Sequence, residues 1–340
     1  MKTKISIILT TLLLSSSAVS AQTLQEKAFE AGLKPIPTDK EKLLKLIGLE
    51  KDEKTKQKVL LGQKLFFDPR LSKSGLISCN TCHNIGLGGV DGVEVAIGDQ
   101  WKKNPHDLNS PTVYNAVFNK RQFWDGRSPN LEDQAAGPIQ ATPEMAATPE
   151  HVENIVNTIP AYLEAFRAIK DDNQYKPGIK DVADAIAKYE RILVTPSRYD
   201  LFLNGNEDML DKKEKEGLKI FIDKGCVSCH SGINLGGDMS PFPVVNPYKY
   251  ASGDFKGDKN GMVKVPTLRN IAQTKPYFHN GKIWTLREAI NVMADTQLGI
   301  TLTKEENSKI ESFLRTLDGQ FKTSYPILPE RGENSNKPIN

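Results

Sequence analysis

The pattern of apolar and polar residues predicts α-helices joined by long irregular segments. The clearest early pattern is an apolar helical face within residues 43–47. Thr38 is the expected N-cap of a helix that begins near Asp39, and Glu41 completes a capping box. Gly48 is the expected end of this helix.

The same signals predict four more helices. They are one over residues 52–67, one over 181–193 stopped by Pro196, one beginning near Thr285, and one running from a capping box of Thr303 and Glu306 to Gly319. Residues 232–264 are instead rich in Gly, Pro, Asp and Asn without periodicity. This composition predicts a long loop.

All four cysteines of the chain belong to two copies of one motif. The copies, each with its following histidine, are Cys79, Cys82 and His83, then Cys226, Cys229 and His230. Two cysteines on one helical turn followed by a histidine form the attachment pattern of c-type haem, in which the thiols bind the vinyl groups and the histidine ligates iron. Two covalently bound haem c groups are therefore predicted.

Three other uses of paired cysteines account for the motifs less well. Zinc fingers space their ligand pairs much more closely, and each adjacent histidine would need its own explanation. A thioredoxin-like redox motif belongs near a βαβ pattern, which the flanking sequences do not show. Structural disulfides suit an exported chain and are the third alternative.

The segments around the two motifs repeat in one order. Residues 62–66 correspond to 217–221, 87–89 to 235–237, 111–115 to 266–270, and 123–126 to 278–281. This duplication predicts a mainly α fold with two tandem cytochrome c-like haem domains and long loops. We expect an N-terminal domain over residues 22–195, a C-terminal domain over 196–320 and a surface tail over 321–340.

The N-terminus predicts export. Lys2 and Lys4 precede an apolar run and a small-residue stretch ending at Ala21, so residues 1–21 are expected to be a signal peptide. The run is too short to span a bilayer, and no later stretch could do so, which predicts a soluble periplasmic protein. Loss of the two lysines lowers the formal charge from +3 to +1, so no global charge favours nucleic acid.

The two haems are expected to differ on the face opposite the histidine. A strong sixth ligand makes an electron carrier, whereas an empty position admits a small molecule. Met293 lies on the helix after Thr285 and could ligate the second haem or pack in the core. Met239 and Met262, in the long loop, are alternative ligands.

The first half contains one methionine, Met145, which does not correspond to Met293 in the repeat. The adjacent Glu144 ends an ATPE sequence that recurs over residues 147–150. Each copy is typical of a helix start, with Thr as N-cap, Pro at N1 and Glu favoured by the helix dipole. The local sequence therefore does not distinguish Glu144 from Glu150.

Nearly all of the mature chain resembles the bacterial dihaem cytochrome c peroxidases, which are related to the MauG group. The most specific matches are residues 79–91 (CNTCHNIGLGGVD), 110–119, 123–127 (FWDGR), 137–145 (GPIQATPEM) and 276–281 (PYFHNG). The resemblance implies a peroxidatic haem held by His83 and an electron-transferring haem held by His230 and Met293. MauG-like proteins use tyrosine in place of this methionine, so Met293 favours a peroxidase.

The same resemblance implies roles near the first haem. It identifies Glu144, rather than Glu150, with the acid/base residue of the family. It identifies Trp124 with the tryptophan between the haems, a residue that could otherwise be a buried core indole.

A calcium ion at the domain interface is also implied by the resemblance. Its ligands would be Asn109, Thr274 and Pro276, the last two through main-chain carbonyls. Oxygen ligation suits this hard cation.

One position departs from the family pattern. Many members hold a distal histidine that must leave before peroxide binds, and Asp99 stands at that position here. His106 lies in the same loop, beside an apparent insertion, and could substitute. We expect instead a site that is open in the oxidised protein or gated by loop movement, which bears on whether reductive activation is needed.

The expected reaction is the reduction of hydrogen peroxide to water, with Glu144 as the proton carrier and Trp124 as the electron route between the haems. A small monohaem cytochrome c or cupredoxin would supply the electrons, and the resemblance implies a homodimer. Two alternatives are a dihaem electron carrier without peroxidase activity and a MauG-like oxidase acting on a protein substrate.

Overall fold

The computed structural model describes residues 22–321 and 323–331, so the expected signal peptide lies outside the described residues. This part of the chain is mainly helical, with one small antiparallel sheet of β1 (Met239–Pro241) and β2 (Met262–Lys264). The helices are α1 (Leu24–Glu30), α2 (Lys40–Leu46), α3 (Glu53–Phe67), α4 (Cys79–Cys82), α5 (Leu131–Gln140), α6 (Pro149–Thr158), α7 (Pro160–Lys170), α8 (Ile179–Arg191), α9 (Arg198–Leu203), α10 (Lys212–Asp223), α11 (Leu286–Leu298) and α12 (Lys304–Arg315). Within the described ranges, every helix is too short or too polar to cross a membrane.

The helix starts at α2 and α8 differ from the sequence prediction. The carboxylate of Asp39, not the hydroxyl of Thr38, caps α2, because Asp39 is extended and accepts a hydrogen bond from the Lys42 amide at 2.7 Å. Helix α8 begins two residues before Asp181, whose carboxylate instead accepts from the Gly178 amide at 3.0 Å. The predictions of α3, α11 and the start of α12 are confirmed.

The prediction that α12 ends at Gly319 is wrong. The helix ends at Arg315, and the Gly319 amide donates to Oδ1 of Asn270 at 2.9 Å. A Cβ at Gly319 would lie 2.5 Å from the carbonyl oxygen of Thr195, so the glycine permits a close approach between two segments. Residues 232–264 form the expected long loop, with only β1 and β2 as regular structure.

Both halves contain the same close crossing of two helices. Helix α3 crosses α8 at Gly62, where a Cβ would lie 1.8 Å from the carbonyl oxygen of Ala185. Helix α10 crosses α12 at Gly217, where a Cβ would lie 1.9 Å from the carbonyl oxygen of Lys309. Both glycines belong to corresponding segments of the sequence repeat, so the structure supports two copies of one helical unit.

The repeat also has a hydrogen-bonded centre at Thr195. Its hydroxyl accepts from the Asn115 and Asn270 side-chain amides, each at 2.8 Å. These asparagines occupy equivalent positions in the repeat and share a left-handed backbone, with φ of 61° and 60°. One threonine therefore joins the two copies through matching contacts.

Each half has its own apolar core. The first described helix packs on the second core, and the segment after the second half packs on the first. The first core is built from α3 and α5 to α8, and the second from α9 to α12. Helix α1 packs on the second core through Ala28. Phe321 stacks on Tyr114 with ring centroids 4.9 Å apart, and Tyr325 packs edge-on against Phe67 at 5.5 Å, so the described part of the tail contacts the first half. The proposed domain boundaries stay predictions.

A fully buried ion pair fixes the second half. The carboxylate of Asp200 accepts two hydrogen bonds from the Arg269 guanidinium, at 2.8 and 2.9 Å, and neither side chain is exposed. Asp200 also accepts from the Ile36 and Ser197 amides, each at 2.7 Å. Arg269 Nε donates to the carbonyl of Ile233, which ties the ion pair to the segment after His230.

Breaking this pair by Asp200→Asn is expected to lower the free energy of unfolding by roughly 3–5 kcal/mol, because Arg269 would keep a buried charge without its counter-ion. Asp171→Asn, which breaks the exposed pair with Lys54, is the control and should cost about 0–1 kcal/mol. Denaturant unfolding measures both. Equal losses in the two variants would contradict the structural role of the buried pair.

Candidate active site and haem cavities

Both CxxCH motifs form tight helical turns. The first is α4 (Cys79–Cys82), and the His83 amide donates to the Cys79 carbonyl at 2.9 Å. The second is a 3₁₀ turn over Cys226–Ser228, and the His230 amide donates to the Cys226 carbonyl at 3.0 Å. Each turn therefore holds two cysteines and the histidine close together.

The cysteines of the motifs are all free thiols, so the structure contains no disulfide between them. Burial raises the pKa of Cys82 to about 12 and that of Cys226 to about 11. The free thiols are available for thioether formation, and they remove the disulfide alternative.

Each motif histidine has a fixed ring orientation. Nδ1 of His83 lies 3.0 Å from the carbonyl oxygen of Pro111, and Nδ1 of His230 lies 3.0 Å from that of Leu235. A carbonyl oxygen only accepts, so Nδ1 carries the proton and Nε2 is free to bind a metal. Burial lowers the pKa of both rings, which favours the neutral, ligating form.

The N-terminal half contains a cavity of about 190 Å³ beside the first motif. The cysteines and His83 line it, together with Trp124, Gln134, Glu144 and Glu190. A second cavity of about 200 Å³ lies in the C-terminal half and is lined by the second motif, Trp124 and Met293. A free thiol pair with an oriented histidine in each cavity fits one haem c, and two such cavities define a dihaem c-type cytochrome.

The two ATPE copies have different structures. Residues 147–150 start α6, with Thr148 as N-cap, and Glu150 is exposed with a lowered pKa from its hydrogen bonds. Residues 141–144 form only a turn, which places Glu144 in the first cavity, where burial raises its pKa. The expectation that both copies start helices is therefore wrong for the first copy.

Neither candidate for a distal ligand lines the first cavity among the described residues. The carboxylate of Asp99 accepts from the Ser74 amide at 3.1 Å, and the Asp99 amide donates to the Glu144 carbonyl at 2.6 Å. His106 is half-exposed and lies 3.1 Å from the carboxylate of Asp254. The loop thus supports Glu144 through its backbone and presents no histidine to the cavity.

The structure separates the three methionines that the sequence left as ligands of the second haem. Met293, on α11, lines the second cavity. Met239 and Met262, on β1 and β2, are not among the described residues that line it. In the first half, Met145 lines the other cavity and also packs in the apolar core.

Trp124 stands in a wall shared by the two cavities. Its indole Nε1 donates to the Asn109 carbonyl at 2.9 Å, and its own carbonyl accepts from the Lys264 amide at 2.8 Å. These three residues line both cavities, and we call them the shared wall. The Asn109 amide in turn donates to the carbonyl of His279 at 2.7 Å, which joins the wall to the second half.

The three residues expected to bind calcium all line the second cavity. Asn109, Thr274 and Pro276 contribute to its surface, and Asn109 is also part of the shared wall. The side-chain nitrogen of Asn109, Nδ2, donates to the Val93 carbonyl at 2.8 Å. The side-chain oxygen Oδ1 is therefore the atom that could bind a cation. Within the described ranges, no group of three or more His, Cys, Asp or Glu residues could hold a metal.

Two buried charged residues in these cavities were not predicted from the sequence. Lys264 is 5% exposed and lies in the shared wall, while Glu190 is 5% exposed and lines the first cavity from α8. Glu190 follows Ala183 and Ile186 on the buried helical face, so helical spacing could have identified it. No periodic signal marks Lys264, because it lies in the long loop.

Sequence comparisons with known proteins match this chain to families of haem-binding proteins. The family model of the di-haem cytochrome c peroxidases matches residues 56–208, and the cytochrome c model matches residues 214–318. The cytochrome c551 peroxidase of Pseudomonas aeruginosa is 43% identical over 96% of each chain. The cytochrome c551 peroxidase of Nitrosomonas europaea is 44% identical over 79% of this chain and 82% of the relative. This chain therefore belongs to the di-haem cytochrome c peroxidase family.

A solved structure confirms the fold class. It is a MauG-like protein associated with microbial copper homeostasis, with a TM-score of 0.70 and 24% identity. The match covers 78% of this chain and 90% of that one. The mainly helical fold with two cytochrome c-like domains is therefore confirmed.

The buried carboxyl of Glu190 makes stability depend on pH. Burial and the nearby Glu132 raise its pKa from 4.5 to about 8, so the folded state holds a proton that the unfolded state releases above about pH 4.5. The stability of the folded state therefore falls as pH rises from about 4.5 towards 8, and this group costs on the order of 3 kcal/mol at pH 7.

Glu190→Gln is expected to remove this loss in the haem-loaded protein. Thermal unfolding across the pH range should show the variant gaining stability over the native protein as pH rises, with little difference at acidic pH. Glu150→Gln, at an exposed carboxylate, is the control. Parallel stability curves for the native protein and Glu190→Gln would contradict the buried-acid assignment.

Proposed function

We propose that this protein is a periplasmic cytochrome c peroxidase that reduces hydrogen peroxide to water with electrons from a small redox protein. The observation that carries the proposal is the asymmetry of the two cavities. The first presents the carboxyl group of Glu144, whereas the second presents the thioether of Met293. The relatives named cytochrome c551 peroxidase support this function.

Glu144 is the proposed acid/base residue. When bound, the haem of the first cavity supplies the iron at which the O–O bond of peroxide is cleaved. Glu144 takes a proton from one peroxide oxygen and returns it to the departing oxygen, because water leaves far more readily than hydroxide. Burial raises its pKa, which suits a group that must both accept and donate a proton.

Met293 would join His230 as a ligand of the haem iron in the second cavity, which both residues line. Histidine and methionine together raise a haem potential, which suits an electron-accepting centre. Trp124 is the proposed electron route, because its indole lies in the wall that both cavities share. Buried at 8% exposure and held by its Nε1 hydrogen bond, it has a fixed position between them.

Calcium at the domain interface is part of the same proposal. Asn109 would provide its Oδ1, and Thr274 and Pro276 would provide main-chain carbonyl oxygens, a donor set that suits a hard cation. Asn109 also accepts the Trp124 hydrogen bond, so an ion there would help to hold the electron route. A monohaem cytochrome c or cupredoxin as donor, and a homodimer, are further proposals.

Two other functions use the same fold. A dihaem electron carrier would need a sixth ligand in the first cavity, where Met145 is the available thioether. A MauG-like oxidase acting on a protein is disfavoured by Met293, because the resemblance implies that MauG-like proteins use a tyrosine at this position. Glu144 in the first cavity favours the peroxidase over both.

Replacement of Glu144 tests the proposed function. Glu144→Gln is expected to lower peroxidase turnover by about 10²- to 10⁴-fold, because the amide cannot carry the proton. Glu150→Gln is a matched control, since the same residues precede it in the chain and it lies on the surface. Steady-state peroxide reduction and haem content are measured for both. Native turnover by a fully haem-loaded Glu144→Gln would contradict the assignment.

Replacement of Met293 tests the second cavity. Met293→Leu keeps the side-chain volume but removes the thioether, so the second haem should lose its low-spin spectrum and its reduction potential should fall. Met262→Leu is the control, because Met262 is outside both cavity linings. Optical spectra and potentiometric titration measure the change. A low-spin second haem of native potential in Met293→Leu would mean that another residue is the ligand.

A further inference from the structure

Lys264 is the charged residue of the shared wall, and it is buried. It lies on β2 between Val263 and Val265, and its side chain is only 5% exposed. Its backbone amide donates to the Trp124 carbonyl at 2.8 Å, and it pairs with Met239 across the sheet. The position of this lysine between the two cavities is therefore fixed by the backbone on both sides.

The ammonium group of Lys264 has no protein partner in the described part of the chain. Among residues 22–321 and 323–331, none forms an ion pair or a side-chain hydrogen bond with its Nζ, and Lys264 lines both cavities. The negative charge of Asp125 attracts the ammonium group, but this carboxylate already lies 2.9 Å from the guanidinium of Arg127. The pKa of Lys264 is lowered to about 8 by burial.

A buried charge without a counter-ion destabilises a folded protein, so the two cavities are expected to receive an anion near this group. The cysteines form thioether bonds with the vinyl groups of haem c. The negatively charged groups at the edge of the haem are its two propionate carboxylates. An ammonium and a carboxylate form a strong, charge-assisted hydrogen bond. The chemistry of the cofactor therefore matches the charge that the wall leaves unpaired.

We propose that Lys264 binds a haem propionate at the shared wall and thereby sets the reduction potential of that haem. This inference rests on the haem loading contained in the proposed function, but not on peroxide turnover. A fixed positive charge stabilises the reduced iron, which carries one positive charge fewer than the oxidised iron. Lys264 is thus a positioning residue for the cofactor beside the proposed electron route through Trp124.

The first test is a crystal structure of the native, haem-loaded protein. Lys264 Nζ is expected within about 3.2 Å of a propionate oxygen of one haem. A structure in which Nζ lies beyond hydrogen-bond reach of every propionate oxygen, or pairs with Asp125 instead, would overturn the proposal. This test needs no variant and no activity.

The second test is potentiometric titration of Lys264→Met and Lys264→Arg, with haem content measured in each. Lys264→Met is expected to lower the midpoint potential of one haem, whereas Lys264→Arg should retain most of the native value. Lys120→Met removes the same charge from an exposed position beside Asp238 and should leave both potentials unchanged. Native potentials in haem-loaded Lys264→Met would overturn the electrostatic role, whether or not the protein reduces peroxide.

Discussion

The shared wall is the constraint on which both cavities depend. The indole of Trp124, the carbonyl of Asn109 and the backbone of Lys264 are joined by two hydrogen bonds, and all three residues face both cavities. Asn109 extends the chain of contacts to His279 in the second half. Because one set of residues borders both cavities, any displacement of the two halves would move the proposed electron route, the proposed calcium ligands and the buried lysine together.

Local backbone structure makes two similar motifs chemically different. The ATPE sequence starts a helix at residues 147–150 but forms a turn at residues 141–144, and only the turn puts a glutamate into a cavity. The Asp99 amide holds the Glu144 carbonyl, so the loop that lacks a distal histidine still supports the proposed acid/base residue. In the second half, α11 delivers Met293 to the equivalent space. The asymmetry therefore needs both the different side chains, Glu144 and Met293, and the local backbone that places each of them in its cavity.

Sequence reasoning succeeded where the signal is local or repeated. The haem motifs, the duplicated order of segments and the starts of α3 and α11 all follow from short-range chemistry. It failed at Thr38 and Gly319, where a neighbouring carboxylate or a close backbone contact decided the outcome. Lys264 escaped notice because its burial results from packing between segments far apart in the chain, and no local pattern records that contact.

The most direct test of the central claim, an open first haem beside a methionine-ligated second haem, is the spin state of the fully oxidised protein before and after peroxide. The account predicts a high-spin signal that responds to peroxide without prior one-electron reduction, because Asp99 is held by Ser74 and His106 lies at the surface. Two low-spin signals, with no response to peroxide before or after one-electron reduction, would contradict it and would indicate that a side chain such as Met145 occupies the first site.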